Sequence, residues 1–203
     1  MIEYLMKHYD KLGAALVQHL QIVFITLLFS LALASVFVLW AAYFPKVGDL
    51  LIQLFSLIYS IPSLALFALL IPLTGLGRAT AIIVLVVYNQ YLLLRNFITG
   101  IREVDEAVVE AAVGLGMNRM QQLQKIQLPL ARKMFLTGIQ LAVVSTVGIA
   151  TIAALINAGG LGTILFDGLR TMNIYKIVWG SGISAGLAIG INGLFNAVEK
   201  RIR

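Results

Sequence analysis

Long apolar runs separated by short polar segments set the pattern of this chain. Asp, Glu, Lys and Arg are absent from Leu12 to Pro45, Leu50 to Gly77, Ala79 to Leu94, Met134 to Phe166 and Ile177 to Val198, windows of 34, 28, 16, 33 and 22 residues. A helix of about 20 apolar residues crosses the hydrocarbon layer of a bilayer. Four windows are long enough outright. The third is short, and Arg95 at its end is expected to extend the span by reaching into the headgroups on its long stem. The pattern predicts an all-α integral membrane protein with five transmembrane helices, over 20–43, 49–72, 79–96, 130–156 and 177–197, in a single membrane domain covering 1–203. Pro62 and Pro72 fall within or at the end of the second span and are predicted to kink or end it.

Composition agrees with a membrane protein and removes other classes. Of 203 residues, 60% are hydrophobic and 12% charged, against about 25% charged in a soluble domain. Five such runs in so short a chain leave almost nothing to build a wet exterior. The first run follows a polar leader (Glu3, Lys7, Asp10, Lys11) and is longer than the apolar region of a secretory signal. It ends at Trp40, Tyr43, Phe44 and Pro45, with no small-residue cleavage pattern, and reads as a retained helix with an aromatic belt. Cysteine is absent, which excludes disulfides and thiolate metal sites. His8 and His19, in or near the leader and without carboxylate partners, are expected at the interface and not as metal ligands.

The net charge of +6 reads as orientation and not as nucleic-acid binding. With the N-terminus outside, segments 43–49, 95–133 and 196–203 face inward. They carry Lys46, Arg95, Arg102, Arg119, Lys125, Arg132, Lys133, Lys200, Arg201 and Arg203. The outward segments carry Lys7, Lys11, Arg78, Arg170 and Lys176. Ten against five of the 15 Lys and Arg follows the positive-inside rule and predicts N-terminus out, C-terminus in.

Two glycine-rich stretches have structural readings. Asn157-Ala158-Gly159-Gly160-Leu161-Gly162 is predicted to turn with positive φ. It matches no phosphate-binding glycine pattern and falls on the outer side. In the last span, Gly182, Gly186 and Gly190 recur every four residues, as expected for a surface where another helix packs closely, which is preferred here over a channel lining.

The longest polar stretch, Arg95 to Lys133, reads as two short amphipathic helices. Asp105 is placed to cap the first, which carries Ala107, Val108, Ala111 and Ala112; Gly114 and Gly116 break the chain. Asn118 and Gln121 have capping-box spacing and start the second, with Met120, Leu123 and Ile126 on one face. Pro129 is expected to end it, near the first turn of the next span. A short helix–turn–helix of this kind fits a groove in another protein or rests on headgroups; amphipathicity alone leaves both open.

Glu110-Ala111-Ala112, Gly116 and Ile126-Gln127-Leu128-Pro129 resemble the E-A-A-x3-G-x9-I-x-L-P pattern of permease subunits of bacterial ABC importers at all seven defined positions. The resemblance implies a coupling loop, over about 103–128, that docks into a cytoplasmic ABC ATPase dimer. Glu110, Ala111, Ala112, Gly116, Ile126, Leu128 and Pro129 would be its contact and turn residues. The chain has no Walker-type phosphate loop, so it is not itself the ATPase. ATP and Mg would be used by the partner, and no cofactor would be bound here.

Within that family, Ile61-Pro62-Ser63-Leu64-Ala65-Leu66, Pro72-Leu73-Thr74-Gly75-Leu76-Gly77, Leu94-Arg95-Asn96, Gly100-Ile101-Arg102 and Ala158-Gly159-Gly160-Leu161-Gly162 resemble osmoprotectant permeases for glycine betaine, carnitine and choline. The likeness covers about half the chain. It implies a second permease copy or a sister permease, a substrate-binding protein outside, and a place in the cell membrane. Methionine-type permeases share the five-helix plan and are the nearest alternative. Tyr88, Asn89, Gln90, Ser145, Thr146 and Thr151 are polar groups within spans and are expected either on the translocation path or in interhelical and back-bonded hydrogen bonds. A secondary transporter would place charged residues inside the spans, and the windows hold none.

Overall fold

The computed structural model describes residues 2–202, and among these every regular element is helical. The helices are α1 (Ile2–Tyr43), α2 (Pro45–Ser60), α3 (Ser63–Thr74), α4 (Arg78–Arg102), α5 (Glu106–Gly114), α6 (Arg119–Gln122), α7 (Leu128–Ile152), α8 (Leu161–Arg170) and α9 (Ile174–Ile202). A π turn, Leu123–Gln127, joins α6 to α7, and a 3-10 turn, Ala153–Ile156, follows α7. Four stretches, Glu3–Tyr43, Arg78–Arg102, Arg119–Ile156 and Ile174–Arg201, are long and apolar enough to cross a membrane, and the α2–α3 pair makes a fifth if counted as one broken span.

The second predicted span is therefore not one helix. α2 and α3 meet at an angle of 97°. Pro62 is the cause: its ring disfavours helical backbone at the residue before it, and Ile61 is extended (φ −70, ψ 130). Pro72, by contrast, lies inside α3 two residues before its end.

The polar leader is helical and joins the long apolar part of α1 across a kink at His8 (φ −133, ψ 21). Two further expectations are corrected. His19 is not interfacial: it is fully buried, with Nε2 3.2 Å from the Val147 carbonyl. Pro129 does not end the second short helix, since α6, the π turn and α7 run on as one stretch. The π turn explains this. Its bond runs from the Leu128 N–H to the Leu123 carbonyl, and the widened turn relieves the clash a proline ring makes with the carbonyl four residues back.

α4 is the centre of the bundle. It packs against α7 and α1 most extensively and also against α2 and α3, and 56% of its apolar window is buried within the chain, against 6% for α9. The α4–α7 crossing is close because small residues sit there. A Cβ on Gly100 would lie 2.5 Å from Met134 Cβ, and one on Gly138 would lie 2.9 Å from Asn96 Cβ. Phe97 and Phe135 stack beside it with centroids 4.1 Å apart.

α9 leans on α8 and α7. Its small-residue stripe does not pack within the chain: a Cβ on Gly182, Gly186, Gly190 or Gly193 meets nothing within 4 Å. Only Gly180 is closely approached, by Leu165 of α8.

Candidate functional site

Local sequence chemistry builds the polar loop after α4. Asp105 caps α5, its carboxylate accepting the Ala107 N–H at 2.9 Å. α5 ends in a Schellman arrangement: Gly116 N–H donates to the Val113 carbonyl at 2.9 Å and Met117 N–H to the Ala112 carbonyl at 3.1 Å, with Gly116 at φ +78. That geometry needs a left-handed residue, which glycine adopts without a Cβ penalty. Two residues on, Asn118 and Gln121 form both halves of a capping box at 2.9 Å each. Caps at both ends compensate for a helix too short to be stable alone.

The resulting unit projects away from the bundle while anchored to it. Glu110 and Ala111 are exposed and Ala112 is buried. Leu123 is buried in the main core, with Leu128 packed against that core; Ile126 is half-buried and Pro129 exposed. Val108, Val113 and Leu115 are exposed, the last at 78%. Arg119 Nη1 donates to the Tyr43 carbonyl at 2.9 Å, tying α6 to the C-terminus of α1. Arg102 bonds Asp49 at 2.5 Å and the Pro45 carbonyl at 2.8 Å. These bonds connect the end of α4 and the start of α6 to the α1–α2 corner.

The membrane-embedded polar residues fall into two groups. Asn89, Gln90 and Thr146 are buried inside the chain. Asn89 Nδ2 donates to Ser30 Oγ at 3.2 Å and to Thr146 Oγ1 at 2.9 Å, joining α4 to α1 and α7. Thr146 also donates to the Ala142 carbonyl at 2.7 Å. Gln90 Nε2 donates to the Ser30 carbonyl at 3.2 Å and the Val86 carbonyl at 3.1 Å. The second group is less enclosed: Ser145 and Thr151 are half-buried, and Thr151 bonds back to the Val147 carbonyl at 3.2 Å. Tyr88 is buried and its hydroxyl donates to the Ile61 carbonyl, a carbonyl left over by the proline break.

Substituting Asn89 by leucine removes the node and its bonds to Ser30 and Thr146, leaving Thr146 only its bond to the Ala142 carbonyl. The expected cost is about 1–2 kcal/mol, read as a lowered thermal unfolding midpoint in detergent. An unchanged midpoint would show that the cluster contributes nothing.

Ser30 is the partner that sequence reading missed, although it is one of few polar residues in the first apolar window. Arg95 also differs from expectation. It does not end its helix, because α4 continues to Arg102. Instead Nη1 donates to the Tyr91 hydroxyl, and the guanidinium carbon lies 5.8 Å from the Tyr91 ring centroid.

Residues 34–203 match the family model of the binding-protein-dependent transport system inner membrane component. The chain is 42% identical over 146 residues to an ergothioneine transport permease/ergothioneine binding protein of Helicobacter pylori, covering 72% of this chain and 26% of that longer protein. It is 35% identical over 157 residues to a choline transport system permease of Bacillus subtilis, covering 77% and 72%. With a carnitine transport permease of Listeria monocytogenes it shares 35% over 161 residues, covering 78% and 72%. In fold it is similar to the MetNI methionine ABC transporter in an inward-facing conformation, with a TM-score of 0.85, 19% identity and full coverage of both chains. A helical membrane core, a capped loop projecting from it and a family match over most of the length agree: the chain belongs to the binding-protein-dependent transport system inner membrane components, and is a permease subunit of an ABC importer.

Proposed function

We propose that this permease carries a compatible solute with a quaternary ammonium group, such as glycine betaine, carnitine or choline, and that α5 is its coupling helix. The observation that carries the coupling reading is α5 itself, capped at both ends and presenting Glu110 and Ala111 outward beside exposed Val108 and Val113. Glu110 makes no ion pair among the described residues, which leaves its carboxylate for a partner. Ala112, Gly116, Ile126, Leu128 and Pro129 shape and anchor the loop over about 103–128.

In this reading the partner is a cytoplasmic ABC ATPase dimer that uses ATP and Mg. A second permease copy or a sister permease completes the path, and a substrate-binding protein delivers cargo from outside. The excess of Lys and Arg beside the loop supports N-terminus out and C-terminus in. The single domain 1–203 supplies the membrane half of the machine. Ser145 and Thr151 line the path, and Tyr88, Asn89, Gln90 and Thr146 brace the helices behind it.

The cargo class is supported by the names of the relatives. Ergothioneine, choline and carnitine each carry a trimethylammonium group, whereas methionine has a primary ammonium. Reconstitution with the cognate ATPase and binding protein tests this. ATP-dependent uptake of labelled glycine betaine, carnitine or choline, unaffected by excess methionine, is the expected result. Uptake of methionine alone would overturn the cargo reading in favour of the amino-acid alternative.

A further inference from the structure

Three carboxamides lie inside the charge-free windows of α7 and α9, and they are held by one another. Gln140 Nε2 donates to Asn192 Oδ1 at 2.6 Å and to Asn196 Oδ1 at 3.1 Å. One amide of α7 thus grips two amides of α9 that share a helix face by their spacing. Gln140 is half-buried, and Asn192 and Asn196 are exposed on the chain. With both side-chain oxygens turned to Gln140, the two NH2 groups point away from the α7–α9 contact. Neither makes a hydrogen bond among the described residues, and each has two N–H donors to offer.

The depth of the cluster decides what it faces. Gln140 is about 10 Å along α7 from Lys133, whose ion pair with Glu199 at 3.4 Å marks the polar end of the α7–α9 pair. Amide donors left open in hydrocarbon are costly, so such groups face protein or a watery cavity. α7 indicates the cavity. Thr151 lies eleven residues beyond Gln140, which is three helical turns, so it stands over the same face about 16 Å away. Gly148 falls between them on that face, and a Cβ there meets nothing within 4 Å. The face of Thr151, assigned above to the path, therefore continues open to Gln140 and its two partners.

We propose that Gln140, Asn192 and Asn196 form a neutral hydrogen-bonding station on the coupling-loop side of the path. The two asparagine NH2 groups receive the carboxylate of a zwitterionic cargo, and Gln140 positions them. This deepens the cargo reading above and rests on it. The lack of charge suits the task, because a path must let its cargo leave as well as enter. A lone Lys or Arg would hold a carboxylate in a charge-assisted pair at both partners, whereas neutral amides hold it less tightly. Choline offers a neutral hydroxyl in place of the carboxylate, makes the weaker bond and depends less on the station.

The chain contains no cysteine, so single cysteines can be read without background. The test uses the complete transporter in inside-out membranes. Asn192→Cys and Asn196→Cys are expected to react with a membrane-impermeant thiosulfonate, and saturating carnitine to slow that reaction about tenfold. Absence of reaction at both positions would place the amides against lipid or the second copy and overturn the station. Reaction that carnitine leaves unchanged would overturn the carboxylate role. Uptake supplies the second readout, with labelled carnitine and choline normalised to assembled complex. The double variant Asn192→Ala with Asn196→Ala is expected to lower the carnitine-to-choline ratio about tenfold. Gln140→Leu should move that ratio in the same direction, as a positioning residue would. Equal loss of both cargoes would make the cluster a brace between α7 and α9 and overturn the station. A parent transporter that carries neither solute fails the cargo reading and the carboxylate role with it; cysteine reaction would then still put the amides on the path.

Discussion

Replacing Gly116 by proline is expected to disconnect transport from ATP hydrolysis while leaving the membrane bundle folded. Gly116 sits at φ +78 and donates its N–H to the Val113 carbonyl. Proline fixes φ near −65° and has no N–H, so it removes both the turn and the bond. The cost is on the order of 3 kcal/mol, a shift of about a hundredfold in the population of the native turn. Because a Cβ at this position meets nothing within 4 Å, the damage is confined to the path of the chain between α5 and α6. Binding-protein-stimulated uptake should fall by a comparable factor, with the thermal midpoint of the permease nearly unchanged. Gly116→Ala, which keeps the N–H and strains only the backbone, should lose about 1–2 kcal/mol and retain partial uptake. Parental uptake in the proline variant would show that α5 does not transmit force.

The second large effect is expected at Gly162, where the consequence is folding and not coupling. Gly162 lies in the first turn of α8 and seats that helix on the end of α7. A Cβ there would stand 1.9 Å from the Thr151 carbonyl oxygen and 2.8 Å from Ala154 Cβ. The obstructing atom belongs to helix backbone, which cannot swing aside as a side chain does. Gly162→Ala must therefore lift α8 off α7, at a cost of about 3 kcal/mol or more. It should also release the turn before it, where Gly160 N–H donates to Gln18 Oε1 at 3.2 Å and Gly160 packs on His19. Loss of monodisperse protein in detergent, or a markedly lowered midpoint, is the expected readout. Gly182→Ala serves as the contrast, since its Cβ is unobstructed in the chain. Equal midpoints for the two variants would refute the close approach of α8 and α7.

The features legible from sequence share a local cause. Charge-free windows locate membrane helices because every backbone polar group in hydrocarbon must be satisfied within its own segment. The Asp105 cap, the Asn118–Gln121 box and the positive φ at Asn157, Gly159 and Gly160 each depend on residues within a few positions of one another.

What stayed hidden depends on distance along the chain. Asn89 carries no mark of whether it faces Ser30, 59 positions away, or water; only the crossing of α1, α4 and α7 buries it. Hydropathy treats 49–72 as one run, whereas the 97° bend arises from a single proline whose freed carbonyl finds the Tyr88 hydroxyl. Arg95 looked like the end of a span because charge ends an apolar window, yet α4 continues past it and turns it onto Tyr91. The glycines of α9 predicted close packing by spacing alone, and the chain offers them no partner. The sequence by itself thus determined that this protein is a bundle of membrane helices with a capped polar loop, because insertion and capping are local contests between backbone groups and their immediate surroundings. The tertiary structure alone decided which polar groups brace the bundle, which helix is broken, and which amides of α7 and α9 meet, because those outcomes follow from contacts between helices far apart in the chain.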